Sequence, residues 1–139
     1  MSYEERGKWI YLVVILVTYG AYVVVILGHA QGGSLAEVAY VAPMLWSIGI
    51  SIVLSIIGRI VIEIAKPSES HKVDVRDREI DRFGEYVGGT VLGIAMVVPL
   101  GLAMMEADYF WIANAIYAAF VVAALTGACL KLVAYRRGM

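Results

Sequence analysis

Residues 66–85 read KPSESHKVDVRDREIDRFGE, the one long run of the chain in which charge outweighs apolar side chains. Two long apolar blocks precede it and two follow. Each block is near the roughly 20 residues an α-helix needs to cross a bilayer. The polar run therefore divides the chain into two membrane hairpins. Composition agrees: 61% of the 139 residues are hydrophobic and 17% are charged, where soluble domains carry about 25% charge. The expected fold is an all-α integral membrane protein. It is a four-transmembrane-helix bundle, a single domain over 1–139, with a cytoplasmic amphipathic helix segment leading into the third span.

The spans are expected at about 9–28, 38–64, 87–105 and 110–133, with 65–86 as the cytoplasmic connection. The first, WIYLVVILVTYGAYVVVIL, is rich in Val and Ile. In water that would favour a strand. In lipid an isolated strand leaves its backbone groups unpaired, whereas a helix satisfies its own, so helix wins. The run is too long for the apolar core of a cleavable leader, and Gly28-His29-Ala30 is a poor cleavage site, so it reads as a retained span.

Gly32 and Gly33 break this helix. The second span has two competing starts. Ser34 and Glu37 have capping-box spacing, and Pro43 suits a first helical turn. Lys66-Pro67 stops it. Ser68 to Lys72 form a flexible corner, and Asp74 is the expected cap of the next helix. Ile80, Phe83 and Val87 then recur with helical spacing. Pro99 predicts a kink in the third span. Glu106, Ala107 and Asp108 make a short turn beside an aromatic cluster, Tyr109, Phe110 and Trp111.

All 11 Lys and Arg residues fall before the first span, around the central run, or at the end of the last. The two other loops carry Glu37, Glu106 and Asp108 but no Lys or Arg. This is a positive-inside pattern, so both termini are expected in the cytoplasm. The bases alternate with acids, which argues against direct nucleic-acid binding. Cys129 is the only cysteine, so there is no intrachain disulfide or cysteine metal cluster. Near the inner end it is expected to be a small buried hydrophobe. His29 and His71 fall on opposite sides of the membrane. No metal, cofactor or catalytic motif is expected, and the chain does not read as an enzyme.

Polar and small residues recur inside the spans. Ser47, Ser51, Ser55, Arg59 and Glu63 stand four apart on the second span. They are either a packing seam ending in an Arg59–Glu63 contact or the wall of a polar groove that opens inward. Ionisable residues at membrane depth are functional candidates by default, although Arg59 is close enough to the interface to snorkel. Tyr19 and Tyr22 share a face of the first span and are candidates for a ligand pocket with Trp46 or Trp111, or for rim packing. Gly84 and Gly88, then Gly89 and Gly93, allow close helix approach on the third span. Ala115, Ala119, Ala123 and Gly127 provide a matching face on the fourth. The two faces either close the second hairpin or meet another subunit. Asn114 reads as a structural hydrogen bonder, Thr126 as bonded to its own preceding turn, and Lys131 as a snorkelling base.

Asp77, Arg78, Asp81, Arg82 and Glu85 form the densest charge cluster. It is a self-paired helix start, with Asp74–Arg78 at favourable spacing, or a docking surface for a cytoplasmic partner, for anionic lipid heads or for the inner end of the second span. Arg59 and Glu63 are its expected intramolecular partners. The motif RDREIDRFGE at 76–85, with WIANAIY at 111–117 and KLVAYRRG at 131–138, resembles a group of small four-span integral membrane proteins of bacteria, of unknown function. Phe83 stands where that pattern carries a more polar residue. The resemblance covers mainly the second hairpin. It implies a bacterial inner membrane and no established catalytic residue. Small multidrug transporters also have four spans, but they depend on an acid in the first, and this first span has none.

The expected role is therefore a small non-enzymatic sensor or regulatory module of the inner membrane, self-associating, in contact with membrane lipids. It would bind a lipid or amphipathic compound and signal to a cytoplasmic protein. The alternative is a subunit of an oligomeric transporter or channel.

Overall fold

The structure, a computed structural model, describes residues 3–65 and 75–137. The expectations for Lys66-Pro67, the Ser68–Lys72 corner, His71 and the Asp74 cap lie outside the described residues. The described chain is all-α: α1 Tyr3–Ala30, α2 Val41–Ala65, α3 Val75–Ala95, α4 Val97–Met104 and α5 Tyr109–Arg137. α3 and α4 run on as one span, Val75–Met104, so four helical units are long and apolar enough to cross a membrane. This is a multi-pass membrane bundle. The 28 residues of α1 make a rod of about 42 Å, against a hydrocarbon core of about 30 Å. The helices therefore have turns to spare, and these gather at one end of the bundle, where the charges are.

Between α1 and α2 the backbone turns through Gln31 at φ 45° and Gly32 at φ 80°. A single 3-10 turn, Leu35–Glu37, follows. Ser34 makes no side-chain cap there, and Val38 is extended at ψ 136°. The capping box therefore does not start α2. The helix begins at Val41 with Pro43 in its first turn, where the missing N–H costs no hydrogen bond. The expected kink appears as the break between α3 and α4 at Met96. Pro99 has no N–H to give the carbonyl of Ala95 and its ring crowds that carbonyl. The chain nevertheless stays helical across the break, with Leu100 N–H donating to Met96 O at 3.2 Å.

The helices are not arranged in chain order. α2 packs chiefly on α1, the third span on α5, and α1 on α5. The first and last helices are thus the inner pair. Of the apolar window of each span, 39% is buried for α5 and 22% for α1, against 11% for the third span and none for α2. α2 and α3 stand apart on the flanks. Small residues set the close approaches. A Cβ on Gly88 would come within 3.3 Å of the Ala123 carbonyl, and one on Gly127 within 3.2 Å of the Gly84 carbonyl. Gly89 and Gly93 face open space. On the other side Gly58 admits Ile10, whose Cγ2 would lie 2.5 Å from a Cβ there.

Candidate functional site

Where α2 and α3 stand apart, a groove runs along the α1–α5 pair. Three adjoining hollows make it up, of about 440, 250 and 230 Å³. Tyr11 lines all three, and Phe120 and Ala124 line both larger ones. The floor is α1 and α5; α2 walls the largest hollow, α3 the second, and both reach the smallest. At the far end Tyr19 and Tyr117 meet edge to face, with centroids 5.1 Å apart. Through the middle the lining is Ile15, Ile48, Ile116, Phe120 and Ala124, relieved by Ser51. At the near end it becomes charged, with Lys8, Arg59, Glu85 and Lys131 around Ser55 and Gly7.

This charged end is knitted by ion pairs between helices. Asp81 Oδ1 lies 2.9 Å from Lys8 Nζ and 3.7 Å from Lys131 Nζ, so one carboxylate oxygen ties α3 to α1 and α5. The oxygen is buried, and its contacts are ionic rather than aligned hydrogen bonds. Glu4 is 3.6 Å from Lys8 and 3.7 Å from Arg59, which ties α1 to α2. Lys131 donates to Glu85 at 2.7 Å. Two glycines let the cations lie flat across their neighbours. A Cβ on Gly7 would come within 2.7 Å of Arg59 Nη1, and one on Gly84 within 2.5 Å of the Lys131 stem. Below the groove Tyr135 donates to buried Asp77 at 2.5 Å. Arg76 donates to the Tyr135 carbonyl at 2.8 Å, and its guanidinium lies 5.4 Å from that ring's centroid.

The serine row divides. Ser47 is buried in the helix seam, 2.6 Å from the Tyr117 hydroxyl, and donates to the Thr18 carbonyl at 3.2 Å. Ser51, Ser55 and Arg59 line the groove. Glu63 is exposed and does not line it. The cause is geometric. Four residues exceed one helical turn, so a four-spaced row drifts, by about 160° from position 47 to 63.

Tyr22 is buried and donates to Asn114 Oδ1, while Asn114 donates to the Phe110 carbonyl at 2.8 Å. Tyr22 and Trp46 line a separate apolar hollow of about 530 Å³ between α1 and α2, and Tyr19 closes the groove. Within the docking candidates, Asp77 and Asp81 turn inward and Arg78 and Arg82 outward. Among the described residues, Asp81 meets Lys8 and Lys131, Glu85 meets Lys131, and Arg59 lies 3.7 Å from Glu4. Cys129 is exposed, contrary to the expectation of burial, while its neighbours Gly127 and Ala128 are buried. Ala119, Ala123 and Gly127 are buried and Ala115 half-buried. Thr126 bonds to its preceding turn, donating to Val122 O at 2.8 Å.

Sequence reasoning misses Glu4, Lys8 and Tyr11 as site residues. The Glu4–Lys8 spacing of four and Gly7 between them are the only local signs, and a polar lead before a span carries such signs routinely. Compared with models of known families, with curated proteins and with solved structures, the chain finds no match.

Proposed function

We propose that the protein is a non-enzymatic module of a bacterial inner membrane that binds an amphipathic molecule in its lateral groove. One observation carries this: three adjoining hollows along α1 and α5, all lined by Tyr11, pass from an apolar stretch to a charged end. A tail would exchange acyl-chain contact for the walls of Phe120, Ala124 and Ile15. A head would meet Lys8, Arg59 and Lys131. Among the described residues the groove's polar lining is limited in its chemistry: Ser51 donates to the Ile48 carbonyl of its own helix at 2.9 Å.

Because Asp81 joins three helices at the groove's charged end, occupancy would shift the start of α3. Arg78 and Arg82, exposed on that segment, would present the change to a cytoplasmic protein. The base-free far loops support a cytoplasmic charged end, with both termini inside. With Cys129 replaced by Ser, a cysteine at Glu106 reacts with an impermeant thiol reagent added outside intact cells, and one at Arg137 does not. The reverse pattern contradicts this orientation.

Native mass spectrometry of gently extracted protein tests the binding. One bound molecule of lipid-like mass is expected per chain. Ala124→Phe, which obstructs the groove, removes it. Val24→Phe, at a site 71% exposed on α1, leaves it. A bare chain, or a bound mass indifferent to Ala124→Phe, contradicts the proposal.

A further inference from the structure

We infer that the groove is a site for one anionic phospholipid of the surrounding leaflet, with its phosphate among Lys8, Arg59 and Lys131 and one acyl chain along Tyr11 and Phe120. This rests on the amphiphile-binding function proposed above and names the class of ligand.

Charge is the first ground. Three cations and one acid, Glu85, line the charged end. The counter-acids Glu4 and Asp81 stand behind the cations and do not line it. The Glu85 side chain is 78% exposed, so it can turn to water and leave Lys131 to a ligand at little cost. The cluster as a whole is balanced, and the face it turns to the groove is the cationic one. A phosphodiester answers it with one negative charge and two acceptor oxygens.

Shape is the second ground. The Arg59 side chain is 45% exposed and is held across Gly7. A guanidinium carries five N–H donors in a planar fork, so Arg59 can keep its Glu4 contact and still turn donors to phosphate oxygens. Lys131 lies flat over Gly84 and adds a point charge from the opposite wall. A side chain at either glycine would push its cation out of the groove.

Length is the third ground. From Arg59 to Met44, at the two ends of the groove on α2, the helix rises about 22 Å. That exceeds half of a hydrocarbon core of about 30 Å. An acyl chain of the same leaflet fits this depth, and the Tyr19–Tyr117 pair closes the far end.

The test uses the full chain, stripped of lipid in neutral detergent. It is offered phosphatidylglycerol, phosphatidylcholine or diacylglycerol of identical chains, and retention is read by native mass spectrometry. One phosphatidylglycerol per chain is expected, preferred over the other two by about tenfold, the size of one charge-assisted hydrogen bond. Arg59→Gln lowers its retention about tenfold by the same reasoning, and Ala124→Phe removes it. The lipid preference of the unmodified protein needs no variant to fold. Equal retention of phosphatidylcholine or diacylglycerol, still lost in Ala124→Phe and indifferent to Arg59→Gln, overturns the anionic-phosphate inference and leaves the amphiphile groove standing. No retention of any lipid, with Ala124→Phe behaving as the unmodified chain, overturns both.

Discussion

Asp77 is 5% exposed, and Tyr135, 58 positions later, donates to it. A carboxylate removed from water is costly unless hydrogen bonds replace its hydration. Tyr135 supplies one, and Arg76 holds Tyr135 through its carbonyl and ring. Tyr135→Phe leaves the ring packed and withdraws the donor. It is expected to destabilise the bundle by about 1.5–3 kcal/mol, the worth of a hydrogen bond to a charged group. Arg82→Ala, on the exposed side of the same segment, should stay within about 0.5 kcal/mol. Equilibrium unfolding in mixed micelles measures both, and equal effects would deny Asp77 its structural role. From the sequence Asp77 reads as an acid suited to a helix N-terminus, and it does stand in the first turn of α3. Its partner is invisible there, because nothing local connects position 77 to position 135.

Two adjacent glycines of α3 separate close packing from open surface. Gly88 faces the Ala123 carbonyl and the Gly127 Cα, whereas Gly89 meets nothing within 4 Å. Gly88→Val must push α3 off α5 and should cost about 1–3 kcal/mol, as overpacking does. Gly89→Val should cost little. Thermal unfolding in detergent distinguishes the two. If both are tolerated equally, α3 does not approach α5 on this face. The small-residue spacing of 84, 88 and 89, 93 is plain in the sequence, but which glycine of each neighbouring pair is used is not. In water a polar face marks the outside of a helix. In lipid both faces are apolar, so hydropathy finds the spans and says nothing about their rotation. The serine row shows the same limit: its spacing is readable, and its drift from seam to groove to surface depends on where α1 and α5 lie.

The whole bundle is organised by its inner pair, α1 and α5. Chain order suggests neighbours in sequence as neighbours in space. The two hairpins do pack that way, but they meet through the first and last helices and leave α2 and α3 apart. The division into hairpins follows from the polar run at 66–85. Their mutual docking does not, since it depends on ion pairs such as Lys8–Asp81, whose members read separately as interface charges. The groove exists only because of this helix order, and the proposed ligand depends on it in turn.

Disulfide trapping between engineered cysteines, with Cys129 replaced by Ser, measures that order most directly. A Cβ built on Gly58 lies 3.7 Å from the Cβ of Ile10, close to the roughly 3.8 Å that a disulfide requires. Ile10→Cys with Gly58→Cys should therefore oxidise readily and join α1 to α2. Ser55→Cys with Gly89→Cys, on the two walls of the groove, should stay reduced under the same conditions. Ready oxidation of the Ser55–Gly89 pair, with the Ile10–Gly58 pair left reduced, would mean that α2 packs against α3. The bundle would then have no groove and the account would fail.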